Sequence, residues 1–294
     1  MNIKKILTFL ALCLMTIQFN MTSCSSATDS EDPIGEAVVN DPTNDYQVVA
    51  QVISVGGLGG CSIGTVAQGE GIIENADFKI NDVTLVHKYP VYADTLFLLS
   101  FFPGSNYSLN VSHNGATIAT GTAIMPSTPV ISNASSFQNH DLNTSLTVKW
   151  QAVKNAHSVQ LTINSEFYDP FTQIPVERGY ASPLLSPETT SHTIPDTLFN
   201  YPGEYTLGII AYHGVNPGID IDNLEDNGYI QSYNMEGAAG AFLAVSLSSA
   251  EGETITVGNP SLTKTVKRNR LSFKDYIIKK HKKWFGSPIL LQQK

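Results

Sequence analysis

Hydrophobic and polar positions alternate with period two along most of this 294-residue chain, the mark of strands with one face buried. Ala76, Phe78 and Ile80 interleave with Asn75, Asp77 and Lys79, and Tyr107, Leu109 and Val111 interleave with Ser108 and Asn110. Residues 46–55 predict a first strand, and the nearly continuous apolar run at 96–102 predicts a central one. Pro103-Gly104 turns the chain, and Asn114-Gly115, a pair that accepts the positive φ angles of a two-residue hairpin, leads into a strand over 116–123. With no helical periodicity between these runs, residues 46–125 are expected to form an antiparallel β-sandwich. Met125-Pro126-Ser127-Thr128-Pro129 reads as a stiff linker. Alternation resumes through Leu146, Val148 and Trp150 and again through Val159, Leu161 and Ile163, predicting a second β domain over 126–249.

Both ends depart from this rhythm. Lys4 and Lys5 precede an apolar run at 6–17, broken only by Thr8 and Thr16, and a short polar stretch ends in Met21-Thr22-Ser23-Cys24. That is the layout of a secretory signal peptide over residues 1–23. Its apolar core is shorter than the roughly 20 residues a membrane-spanning helix needs. Ser23-Cys24 resembles the lipobox of bacterial lipoproteins, which implies cleavage before Cys24 and lipidation of its thiol; ordinary cleavage near Ser23 is the other reading. Residues 24–45, rich in Ser, Asp, Glu and Pro, have little to bury and read as an acidic tether. Residues 250–294 form a linker and a basic tail, where Leu271, Tyr276, Ile277, Ile278, Trp284 and Phe285 sit among Lys274, Lys279, Lys280, Lys282 and Lys283. A helix ending before Pro288 would sort these into an apolar and a basic face. Contact with an anionic membrane, docking onto the body and a solvated end all remain open for the tail.

Charge splits along the chain. Residues 24–263 carry 25 carboxylates against five basic residues, a balance of −20, whereas residues 264–294 carry ten basic residues and Asp275, a balance of +9. An acidic body repels phosphate, so it is not a nucleic-acid module. Charged residues make up 15% of the chain, scarce beside the roughly 25% of an average soluble protein. Of the cysteines Cys13, Cys24 and Cys61, the first leaves with the signal and the second is the expected lipid site, so no intramolecular disulfide is expected.

The second β region resembles a fibronectin type III domain. Leu146, Val148 and Trp150 followed by Val159, Leu161 and Ile163 match its B and C strands. Leu198, Pro202, Tyr205, Leu207, Ile209 and Ala211 match its L..P..Y.L.I.A pattern. The resemblance implies that Tyr205 makes a tyrosine corner, that the loops at 167–190 and 216–236 are enlarged, and that residues 237–247 close the domain. Through residues 75–81 and 103–107 the first domain resembles carboxypeptidase-regulatory-like and other Ig-like modules. The whole chain resembles Bacteroidota cell-envelope lipoproteins. These likenesses imply an all-β protein with two tandem antiparallel β-sandwiches, Ig-like and fibronectin type III-like, lipid-anchored at the outer membrane.

Candidate chemistry is sparse. Gly60-Cys61-Ser62-Ile63-Gly64 matches the G-x-S-x-G nucleophile elbow, but that motif works only at a sharp strand-to-helix turn, and the surrounding glycines read better as a loop. His87, His113, His140, His157, His192 and His213 show no metal-binding spacing. Asp220, Asp222, Glu225 and Asp226 crowd four carboxylates into seven positions, either a solvated loop or a weak calcium site without the EF-hand pattern. Tyr168, Phe171, Arg178 and Tyr180 place aromatic rings around the body's only arginine, a set suited to sugar or peptide recognition on a sandwich loop or to capping the sandwich. The expected function is therefore a non-enzymatic, lipid-anchored envelope protein that uses no cofactor and binds a protein or glycan. An adhesin or fimbrial-type subunit is the alternative, and a hydrolase using Ser62 a remote one.

Overall fold

The protein is all-β. This computed structural model describes residues 36–57, 59–69, 71–88, 91–94, 99–168, 175–219, 232–249 and 252–258, with backbone alone at 166–168 and 175–177. In chain order the strands of the first half are β1 (Val39–Asn40), β2 (Tyr46–Val55), β3 (Gly59–Gln68), β4 (Gly71–Ile72), β5 (Asp77–Ile80), β6 (Val83–Thr84), β7 (Val86–Lys88), β8 (Val91–Ala93), β9 (Asn106–His113) and β10 (Ala116–Ile124). The second half supplies β11 (Leu146–Lys149), β12 (Ser158–Tyr168), β13 (Pro175–Ala181), β14 (Ser191–Ile194), β15 (Gly203–His213), β16 (Ser232–Tyr233), β17 (Met235–Glu236), β18 (Ala239–Leu247) and β19 (Glu253–Val257).

One large sheet runs through both halves in the order β13-β12-β15-β18-β2-β3-β8-β7, and β19 pairs with β15 at its side. Two smaller sheets lie on it. The sheet β17-β10-β9-β5-β6 covers the first half and β11-β14 covers the second. Val48, Ala50, Val52, Phe78, Leu109, Val111 and Phe242 fill the first sandwich, while Val148, Trp150, Leu161, Ile163, Leu207, Ile209 and Ile255 fill the second. Burial of each of the Val, Leu, Ile and Phe side chains among them contributes about 1.5–3 kcal/mol. In the second sandwich the pairings β11–β14 and β13–β12–β15–β19 give the two sheets of a fibronectin type III-like arrangement. The buried Tyr205 hydroxyl donates to the carbonyls of Tyr201 at 3.0 Å and Leu198 at 3.3 Å, closing a tyrosine corner.

Three expectations are corrected by the strand pairings. Residues 237–247 do not close the second sandwich; β19 does, pairing with β15 from Gly203↔Val257 to Leu207↔Glu253. Strand β18 instead pairs on one side with the far end of β15, Ile210↔Leu247 to His213↔Ala244, and on the other with β2 in parallel, Ala239↔Gln47 to Leu247↔Val55. Phe242 and Ala244 face the first core and Ala241, Leu243, Val245 and Leu247 the reverse side of the sheet, so all nine residues of β18 are buried. The two sandwiches thus share a strand. Between β18 and β19 the chain kinks, with Ser248 Oγ accepting the Ile209 N–H at 3.1 Å where a backbone carbonyl would otherwise serve. Gly240 makes the shared strand possible, since at its φ of +125° a Cβ would stand 2.0 Å from the Val48 carbonyl oxygen.

The second correction is at 96–102. Among its described residues, 99–102 form no strand: Leu99 is buried with its N–H on Asp94, but Phe102 is 65% exposed. Pro103-Gly104 follows too closely for the ladder to continue. Third, within the stretch expected to be an enlarged loop, the described residues 167–168 end β12 and 175–180 belong to β13, paired antiparallel on the large sheet.

Candidate functional site

Strand β13 ends the large sheet, so its inward residues border the open side of the second sandwich. Arg178 and Tyr180, two positions apart on one face, stand opposite Ser165 and Ile163 of β12. Across the opening, β14 of the smaller sheet carries His192 opposite Val148. The Tyr180 hydroxyl and His192 Nε2 are hydrogen-bonded at 2.6 Å, with their rings stacked at 6.0 Å and 22°. That contact bridges the two sheets. Beside it the Arg178 guanidinium lies 5.2 Å from the centre of the Tyr201 ring, a cation–π arrangement. Tyr201 sits just before β15 and packs with Tyr180 against the second core.

Burial sets the electrostatics of this shelf. It lowers the His192 pKa and raises that of Tyr180, so both are neutral near pH 7. Burial also pushes the Tyr205 phenol beneath the shelf up to about 12, although Arg178 pulls it the other way. Arg178 therefore carries the charge. Its Nε is buried without a hydrogen-bond partner, and the ion pair found among the described residues is Lys79–Asp77, at 2.7 Å on the other sandwich. A planar guanidinium held against an aromatic ring offers charge, directed donors and an apolar face in one place.

The structure thus brings Arg178 and Tyr180 together and adds His192 and Tyr201, which the sequence did not single out. Tyr168 ends β12, opposite Pro175; its side chain lies outside the described residues, as does the whole of Phe171. Cys24, Asp220, Asp222, Glu225 and Asp226 are also outside them. Among the described residues no group of three or more His, Cys, Asp or Glu is placed to hold a metal ion, and no helix is long and apolar enough to cross a membrane. Ser62 lies in the middle of β3, 1% exposed and paired with Val52, with its Oγ unpartnered. Mid-strand geometry is not a nucleophile elbow. Cys61, next along β3, faces the reverse side of the sheet.

A second cluster lies where the sandwiches meet. His157 and His213 pack with ring centres 4.0 Å apart, 7% and 6% exposed. His157 Nδ1 accepts the Gly214 N–H at 3.0 Å, while His213 Nδ1 has no partner. Desolvation lowers their pKa values to about 4 and about 3, His157 adding to the effect on His213. On the same sheet face Ser54 and Ser246 are register partners whose hydroxyls are buried and unpartnered.

No protein-family model matches the chain, and no curated protein matches it. Among solved structures it is similar to the crystal structure of the FN1–FN3 domains of chicken CNTN1, with 11% sequence identity and a TM-score of 0.25. The match covers 61% of this chain and 65% of the length of that one.

Proposed function

We propose that this is a non-enzymatic binding protein of the cell envelope, anchored by a lipid on Cys24 and recognising a glycan through the Arg178–Tyr180–His192–Tyr201 shelf. The observation that carries the reading is the shelf itself: an edge-strand arginine with no ion pair among the described residues and a buried, unpartnered Nε, beside a Tyr–His pair bridging the two sheets. Strands hold Arg178, Tyr180 and His192, and Tyr201 lies just before β15, so little conformational entropy is lost on binding. The tether side is also ordered onto the body. Asn216 binds both the N–H and the carbonyl of Ala37 through its side chain, at 2.7 and 3.1 Å, and β1 pairs with β16. In this reading the acidic segment before residue 36 sets the reach from the membrane. One acyl chain holds a protein only marginally, so Cys24 carries more than one or the basic tail adds a contact.

A glycan array probed with the wild-type protein and with Tyr180→Ala tests the recognition. Selective binding that the substitution weakens is expected, and binding that is absent, or indifferent to it, would refute the reading. The anchor is tested separately by membrane fractionation and intact mass of wild type and Cys24→Ala from cells. A lipid-sized mass increment and membrane retention, both lost in the variant, are expected.

A further inference from the structure

We infer that the shelf selects sugars that carry an isolated carboxylate, such as a single uronic acid residue; this deepens the glycan-binding reading and rests on it. An arginine partly buried in a protein normally meets a carboxylate, and this body holds 25 carboxylates against five bases. Yet Arg178 has the Tyr201 ring as its contact and a buried, unpartnered Nε. The half-buried guanidinium has its Nε closed off and no carboxylate partner among the described residues, so a ligand carboxylate meeting its outer nitrogens supplies the anion that these residues do not. The neighbouring groups fix the rest of the specificity. His192, kept neutral by burial, adds no second cation, so the site is matched to one negative charge. The strongly acidic surroundings oppose a polyanion at long range but, screened beyond roughly 8 Å at physiological salt, leave a single carboxylate free to pair. Shape argues for a ring over an extended peptide. Arg178 and Tyr180 face inward toward the opening between the sheets, away from the free backbone edge of β13 that a peptide strand would use.

Titration calorimetry of the full chain at pH 7.5 tests this. The probes are trisaccharides ending in a single glucuronate, galacturonate or mannuronate, and their neutral hexose counterparts. At least one uronate is expected to bind about tenfold or more tighter than its neutral counterpart, as for hydrogen bonds to a charged group. Arg178→Gln should abolish that preference, and Arg178→Lys should restore only part of it, because an ammonium keeps the charge and loses the fork. Unchanged urea midpoints for both variants would show that the fold is intact. Equal binding of acidic and neutral sugars, weakened by Tyr180→Ala, would overturn the carboxylate inference and leave the glycan reading standing. No binding of either kind, here and on the array, would overturn both.

Discussion

Lowering the pH to 5 should loosen the join between the sandwiches, through His157 and His213. Both rings are nearly excluded from water, and their folded pKa values of about 4 and about 3 lie below the ordinary 6.5 they recover on unfolding. On the sheet face they share, Ala244 and Ser246 of β18 and Val52 and Ser54 of β2 offer no negative charge to an imidazolium. The unfolded chain therefore binds protons below pH 6.5 that the folded chain refuses. Stability is complete above that pH and falls as the pH drops toward the folded values. Each histidine costs about 2 kcal/mol at pH 5, so the pair removes about 4 kcal/mol relative to pH 8. That is a large part of the roughly 5–15 kcal/mol by which domains are stable. Urea unfolding between pH 8 and 5 measures it directly, with His157→Gln/His213→Leu as the reference for carboxylates that titrate in the same direction. The wild type should lose about 4 kcal/mol more than the double variant over this range. Parallel pH profiles, or proton resonances of the two rings titrating near 6.5, would refute the burial argument.

Three substitutions check other parts of the structure by the same assay. Tyr205→Phe keeps the ring in the core and removes the hydroxyl bonded to Tyr201 and Leu198; it should cost about 1–2 kcal/mol, and no loss would mean the corner is only incidental to stability. Gly240→Ala forces a Cβ onto the Val48 carbonyl at a φ of +125°. A loss of at least about 2 kcal/mol is expected, and an unchanged midpoint would show that β18 does not lie against β2 as described. Ser62→Ala deletes a buried hydroxyl with no partner, so stability should hold or rise by about 1 kcal/mol; a clear loss would reveal a bond to Oγ.

Where one face of a strand is buried, the pattern was readable. Tyr107, Leu109 and Val111 are buried and Ser108 and Asn110 exposed, as alternation predicts, and Asn114 and Gly115 turn with φ of 52° and 80°. Alternation disappears in strands buried on both faces. In β2 seven consecutive residues are buried, and in β18 all nine. The sequence marked 46–55 as a first strand and 237–247 as the close of the second domain, and neither run names a partner. Proximity along the chain suggested that β18 belongs to the second sandwich, whereas its parallel partner β2 lies far back in the first half. The shared character, two unalternating runs in a chain of alternating ones, was the available signal. At the shelf, Arg178 and Tyr180 stood out as the lone arginine of the body beside an aromatic residue. His192 and Tyr201 did not, because a register across two sheets brings them there.

The shared strand bears on what a tethered binder must do. Strand β2 begins at Tyr46, close behind the expected tether, and β15 joins β18 beside the opposite end of β2, near Val52 to Val55. The second sandwich, with its shelf, therefore extends away from the end at which the chain arrives. In the proposed reading, a pull between a lipid anchor and a bound glycan would run along β2 and β18 and not across them. Because the two strands are parallel, such a pull draws the start of β2 and the end of β18 in opposite directions, loading the bonds between them together instead of peeling them in turn. Two sandwiches joined by the Met125–Pro129 linker alone would swing about it and let the load fall on a single covalent connection. Here the ladder that carries the load is set by one strand, β18, which pairs with β2 of the first sandwich along its whole length and with the end of β15 of the second.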